Sequence, residues 1–170
     1  MRAKIINIPT FEEVYDLAPL EIKQYLDRCK EANQSPEWHP EGPTYRHIKI
    51  VYNRARNHGD INLVIAELFH DLGKADVTKP HPKKEGSYAA YGHEAVSSKL
   101  ARKYEDWISS LGADPEQVYH IVKEHMRIKK FDEMRPSKRE KLENDKWFSK
   151  YKKFTEFDNM LTLTDDELID

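Results

Sequence analysis

Leu63-Val64-Ile65-Ala66-Glu67-Leu68-Phe69-His70-Asp71-Leu72-Gly73-Lys74 is the stretch that decides the fold. Wound on a helix, its first seven residues are apolar nearly all round, the pattern of a helix at the centre of a core. Asp60 or Asn62 can cap its start, and Gly73 is placed to end it. A His-Asp pair follows directly, and burying an imidazole and a carboxylate without partners is costly. A divalent metal satisfies both, because imidazole and carboxylate are usual ligands of Zn, Mn, Fe or Ni. Adjacent helical residues point about 100° apart, so other helices must supply the remaining ligands.

Outward from this stretch the signals stay helical. Toward the amino end, Thr10 and Glu13 have capping-box spacing ahead of Val14 and Leu17. Pro19 opens a second helix with Ile22, Leu26 and Cys29 on one face. A loop over 33–43 holds the breaker pairs Ser35-Pro36 and Gly42-Pro43. From Thr44 the pattern resumes, with Ile48, Val51 and Ala55 aligned. Toward the carboxyl end, 76–87 reads as a lysine-rich loop broken by Pro80, Pro82 and Gly86. One long helix is predicted from about Gly92 to Leu111, and another from Asp114-Pro115 with Val118, Ile121, Val122 and His125 inward. Pro136 begins a charged, exposed segment. The chain from Trp147 through Tyr151, Phe154, Met160, Leu161 and Leu168 reads as a closing core helix. No strand-like alternation, repeat or linker interrupts this, so the fold class is all-α.

Composition narrows the function classes. The 170 residues suit one domain with a single core. Lys+Arg number 28 against 30 Asp+Glu, a formal charge of −2 that excludes a generally basic nucleic-acid coat. The single cysteine, Cys29, excludes a disulfide framework and a Cys-rich zinc site. The amino end has only the short apolar stretch Ile5-Ile6-Asn7-Ile8, too little for a signal peptide, and no run is long enough for a membrane helix. A soluble cytoplasmic protein is the expectation. Eight histidines are unusual in this setting.

His47, on the face of Val51 and Ala55, is a candidate ligand from the preceding helix. Asp165, one turn beyond Leu161, is the candidate from the last. Each alone reads more readily as a satisfied core histidine or an exposed acid; the array carries the argument.

That array resembles the HD-domain metal-dependent phosphohydrolases, and among them the HD domain of bacterial tRNA nucleotidyltransferases, the CCA-adding enzymes. The residues that carry it are Trp38-His39-Pro40-Glu41-Gly42-Pro43-Thr44-Tyr45-Arg46-His47, then His70-Asp71-Leu72-Gly73-Lys74, then Tyr91-Gly92-His93-Glu94. The resemblance implies a helical bundle around a central His-Asp metal site over 35–170, with 1–34 as a helical lead-in. It assigns His47 as the first ligand and His70 and Asp71 as the pair that names the family. For the final aspartate it points to Asp165 behind Met160-Leu161-Thr162-Leu163-Thr164, with Asp158 and Asp166 as alternatives. His93 and His125 are placed for a second ion, with Asp71 bridging. His120 lies about 140° round the helix from His125 and is not expected to share that site. The cofactor is one or two divalent ions, Mn, Ni, Mg, Fe or Zn.

Asp71, Lys74 and His93 are the expected catalytic groups. Lys74 and Arg46 are the expected phosphate binders, Lys74 as a point charge at the helix end. His39 is the loop histidine expected to approach the site, whereas His58 and His81 are left to loops. A cation lowers the pKa of a coordinated water and offsets charge on phosphoryl oxygens, so hydrolysis by a metal-activated water is the expected chemistry. No phosphate-cradling Gly-rich loop and no partnered Ser or Cys nucleophile competes with it. The resemblance implies 2′,3′-cyclic phosphodiesterase, 2′-nucleotidase or phosphatase action on a nucleotide or RNA end. Hydrolysis of nucleoside triphosphates or cyclic nucleotides, di-iron oxygenation, and a non-catalytic metal-holding or RNA-binding module are the alternatives. The segment from Lys123 to Lys153 carries 12 Lys+Arg and 6 Asp+Glu, which reads as a solvated face ahead of a phosphate-backbone footprint. The partner is thus a small phosphorylated molecule or an RNA end, with no long duplex and no membrane. Nothing in the sequence argues for or against a homodimer. No counterpart of the nucleotidyltransferase part is present in these 170 residues, so tRNA recognition is not carried over.

Overall fold

The structure is a computed structural model that describes residues 7–169; Met1, Ile5, Ile6 and the terminal Asp170 lie outside the described residues. The chain begins with α1 (Phe11–Leu17), opened by the predicted capping box: Glu13 N–H donates to Thr10 Oγ1 at 3.1 Å and Thr10 N–H to Glu13 Oε1 at 3.0 Å. α2 (Leu20–Arg28) follows Pro19 and buries Ile22 and Leu26. α3 (Thr44–His58) ends at Gly59, whose φ of 93° is the left-handed conformation a glycine adopts without steric cost. Asp60 then caps α4 (Ile61–His70) by accepting from the N–H groups of Asn62 and Leu63.

α4 is buried from Leu63 through His70, as its all-round apolar pattern requires, and packs against α3. Beyond it lie the short α5 (Lys74–Val77) and a two-strand ribbon, β1 (Lys79–Pro80) antiparallel to β2 (Tyr88–Ala89). This ribbon stands inside the segment expected to be loop. The long helix expected over 92–111 is two helices, α6 (His93–Lys103) and α7 (Glu105–Ser110), broken at Tyr104. The break turns α7 so that Ile108 is fully buried and Trp107 lies against Phe69, ring centroids 6.1 Å apart. α8 (Pro115–Lys129), capped by Asp114, packs on α4 and α6.

α9 (Pro136–Glu143) is the charged segment and buries only Leu142. α10 (Phe148–Asp158) returns across α8, burying Tyr151 and Phe154. It stops ten residues sooner than the closing helix of the sequence reading, which extended to Leu168. After Asp158 the backbone becomes extended at Asn159 (φ −79°, ψ 109°), whose side chain accepts from Leu161 N–H and starts a 3₁₀ turn over Met160–Thr162. An Asn side chain that bonds nearby backbone competes with helix continuation. Leu161 is consequently exposed, not core. The architecture is all-α, and no helix is long and apolar enough to cross a membrane among the described residues.

Candidate metal centre

Three helices, α3, α4 and α10, converge on a buried cluster. α3 contributes His47 from its first turn, and the end of α4 contributes His70 and Asp71, the latter the C-cap. The last residue of α10, Asp158, closes the set. One donor atom from each of the four lies within 4.8 Å of all the others. His47 Nε2 is 2.6 Å from Asp158 Oδ1 and 3.4 Å from Asp71 Oδ2. His70 Nε2 is 3.1 Å from both Asp71 Oδ2 and Asp158 Oδ1.

The other oxygen of Asp71 faces a second set. Asp71 Oδ1 is 3.0 Å from His93 Nε2 and 3.8 Å from His125 Nε2. The two Nε2 atoms are themselves 3.1 Å apart. Asp71 thus stands between two groups of imidazole nitrogens, one oxygen to each.

The far nitrogen of every ring is held by an acceptor. His47 Nδ1 donates to Glu41 Oε2 at 2.9 Å and His70 Nδ1 to the Glu67 carbonyl at 2.7 Å. His93 Nδ1 donates to the Ala90 carbonyl at 2.9 Å and His125 Nδ1 to the Val122 carbonyl at 2.5 Å. A carbonyl only accepts, so Nδ1 carries the proton and the Nε2 lone pair turns inward, the arrangement metal-ligating histidines use. At 3.1 Å, two inward lone pairs on His93 and His125 repel unless a positive centre lies with them. Both Asp71 oxygens also lack a hydrogen bond of proper geometry, whereas Asp158 Oδ2 is ion-paired with Lys129. Orphaned buried carboxylate oxygens facing orphaned imidazole lone pairs suit one or two divalent cations.

Electrostatics point the same way. Burial pushes the Asp71 carboxyl up, but the charges of His70 and Lys74 outweigh it and hold it well below the usual range. Burial likewise raises Asp158, and Lys129 and His47 together bring it well below. Burial, joined by the positive charge at His70, drives His125 well down, so its ring is neutral. Burial lowers the His47 and His70 rings, but Asp158 and Asp71 outweigh it and raise both above the usual range, a positive charge that a divalent cation among the same carboxylates would replace.

The family comparison matches the HD domain over residues 44–150, well over half of the chain. The chain belongs to the HD-domain family. No solved structure matches it significantly. The matched span contains His47, His70, Asp71, His93 and His125 but stops short of Asp158.

In this HD domain the structure brings together five of the expected site residues, His47, His70, Asp71, His93 and His125, with Lys74 beside them. Lys74 is buried; its Nζ donates to Gln34 Oε1 at 2.8 Å and lies 3.2 Å from Asp71 Oδ2. Asp165 is a correction. It is exposed at the start of a 3₁₀ turn, because α10 has already ended, and Asp158 takes the position in the cluster. Asp166, the other alternative, is exposed as well. Arg46 is a second correction: its guanidinium donates to the Leu168 carbonyl and lines a separate hollow with Pro43, Tyr45 and Lys49. Beside His47 on the same helix it faces about 100° away, toward the carboxyl-terminal segment that accepts its bond.

Gly73 does not end α4 in a left-handed conformation, since its φ is −60°. His39 does approach the site, its ring edge-on to His47 with centroids 5.3 Å apart. His120 is partly exposed beside Glu116, His58 lies on Phe157, and His81 Nδ1 accepts from the N–H groups of Lys83 and Lys84.

Five polar residues escaped the sequence reading. Glu41 is 2% exposed; burial raises its carboxyl, but hydrogen bonds from His39 and His47 outweigh this and bring it down to about 2. Glu67, behind His70, is fully buried, and burial raises its carboxyl well above the usual range. Lys129 forms an ion pair with Asp158, and Gln34 holds Lys74. Lys129 sits where the α8 stripe Ile121, Val122, His125, Ile128 faces inward, a signal hidden by the surrounding run of lysines.

Arg54 is the fifth. It lies seven residues after His47 on α3, hence on nearly the same face. Its Nη1 donates to the carbonyls on either side of Asp158, Phe157 at 2.7 Å and Asn159 at 2.9 Å. Glu167 grips the same guanidinium through both oxygens, at 2.5 and 2.9 Å. The clasp holds the backbone of Asp158 at the helix end. Arg54→Lys is expected to weaken Mn binding by about 10–100-fold, the usual effect of losing an outer-shell partner. Calorimetric titration beside a thermal melt checks this; unchanged affinity would show that Asp158 is placed without the clasp.

Proposed function

We propose that this HD domain is a metal-dependent phosphohydrolase acting on a nucleotide or RNA-end phosphate ester. The observation that carries the reading is Asp71, one oxygen turned to each set of imidazole nitrogens and the Lys74 ammonium beside it. His47, His70, Asp71 and Asp158 would hold one ion, and Asp71, His93 and His125 a second. Bound divalent cations supply Lewis-acid chemistry, lowering the pKa of water and offsetting charge on phosphoryl oxygens.

The chain's own groups do the rest. Glu41 and the carbonyls of Glu67, Ala90 and Val122 fix the four rings, so no reorganisation is needed when charge develops. Lys74 lines the cavity over His93 and is the phosphate-binding ammonium. Lys129 supports Asp158 and reaches the same cavity. The narrower likeness to the HD domain of tRNA nucleotidyltransferases favours 2′,3′-cyclic phosphate and 2′-nucleotide substrates as the first to try.

The test is a substrate panel on protein stripped of metal and reloaded with Mn, Ni, Mg, Fe(II) or Zn. Release of a nucleotide monoester from a 2′,3′-cyclic nucleotide, or of phosphate from a 2′-nucleotide, is the expected result. Tripolyphosphate from a nucleoside triphosphate would move the substrate class but keep the chemistry. Stoichiometric metal binding with no turnover on any phosphate ester would overturn the reading in favour of a non-catalytic module.

A further inference from the structure

Two cavities, not one, open onto the metal centre. The first, about 630 Å³, is walled by His93 and Lys74 at its inner end; the second, about 950 Å³, by Asp158. Trp38, His39 and Lys129 line both and so form the boundary between them. Each volume falls within the range of about 300–1,000 Å³ that holds a small ligand by itself. A phosphate monoester has one substituent and fills only one of them. A phosphodiester has two, and its phosphorus lies where they meet.

The two cavities differ in charge. The first carries Lys74, Arg127, Lys130 and Lys138 against a single acid, Glu94. The second carries Asp132, Glu143 and Glu156 against a single base of its own, Lys152, on an apolar wall of Phe131, Phe148 and Leu161. The first therefore takes an arm bearing further phosphate, and the second an arm without one. Aromatic faces are available on both sides: Trp38 is 61% exposed at the boundary and Tyr91 is 77% exposed in the basic cavity. Exposed rings along a basic groove are the platform on which bases of single-stranded nucleic acid stack.

We infer that the substrate is a phosphodiester joining an anionic nucleotide arm, seated in the Lys74–Lys138 cavity, to a nucleoside arm seated against Phe148 and Leu161. The inference rests on the phosphohydrolase reading and narrows it. In the reaction a water oxygen bonds to phosphorus and one ester P–O bond breaks. The leaving oxygen takes a proton, giving an alcohol and a phosphate monoester.

A series of three ligands tests it on the metal-loaded protein: adenosine 3′-monophosphate, adenylyl-adenosine, and adenylyl-adenosine bearing a 5′-phosphate. kcat/KM is expected to rise by about tenfold at each added arm or charge, the size of one stacked base or phosphate contact. Leu161→Asp, at a surface position, is expected to shrink the preference for the dinucleotide over the mononucleotide. Lys138→Ala is expected to shrink the preference for the 5′-phosphorylated form. Equal rates on all three ligands, or preferences that neither variant moves, would overturn the inference. If none of the three is hydrolysed while another phosphate ester of the panel is, the inference is overturned and the phosphohydrolase reading stands; if no ester at all is turned over, that reading has failed. The same series measured as calorimetric affinities still decides the two-arm geometry, supporting it by the same ranking and overturning it by equal affinities.

Discussion

Asp71→Asn is expected to remove metal binding at both donor sets and to lower kcat/KM roughly a thousandfold or more. That corresponds to several kcal/mol of charge stabilisation at about 1.4 kcal/mol per tenfold. Asparagine keeps the shape of the side chain and leaves the C-cap backbone of α4 unchanged. What it loses is the second charged oxygen, and Asp71 is the only residue shared by the two donor sets. The fold is expected to persist, because Lys74 keeps its bond to Gln34 and the rings keep their Nδ1 acceptors. Metal content by mass spectrometry, with melting temperature measured with and without Mn, checks both halves. The stabilisation by Mn should vanish in the variant. A variant that still gains stability from Mn would show that Asp71 is not the shared ligand. His93→Ala is the graded control, expected to lose the second ion and keep the first.

Gly73→Ala is expected to cost about 3 kcal/mol, the upper end for overpacking a well-filled interior. A Cβ there would lie 2.3 Å from the His93 carbonyl oxygen and 2.8 Å from Val96 Cβ. The nearest obstacle is backbone, so no side-chain rotation relieves it. Its N–H also donates to Ser97 Oγ at 2.9 Å, which fixes how close α6 approaches. For a domain of this size the cost appears as a fall of roughly 6–12 °C in melting temperature. Because α6 begins at His93, its retreat should also draw Nε2 away from Asp71 Oδ1 and lower the affinity of the second ion. An unchanged denaturant midpoint would mean that α6 shifts without cost.

The same glycine shows how far sequence reading reaches. Its position after an apolar helix suggests a left-handed helix end, an ordinary local role for glycine. Its actual role is non-local: it lets α6 come against the His-Asp turn, a contact between residues 73 and 93. Local chemistry is legible because caps and breakers act on neighbours. The Thr10 box, the Asp60 cap and the Asp114-Pro115 start all stand where the residues place them. The break at Tyr104 was not legible, since no Gly or Pro marks it and its cause is the fit of Trp107 and Ile108 to the core.

By itself the sequence determined that the protein is helical, that Leu63–Phe69 is its centre, and that an imidazole and a carboxylate at 70 and 71 emerge from that centre needing buried partners. Periodicity and the cost of burying unpaired polar groups suffice for those conclusions. Only the tertiary structure decided which acid completes the cluster. Asp158 and Asp165 are seven residues apart and fall on one helical face if the helix continues. The choice between them turns on where α10 stops. Arg54 grips the carbonyls on either side of Asp158 from a helix more than a hundred residues earlier, a long-range contact that helix periodicity does not contain.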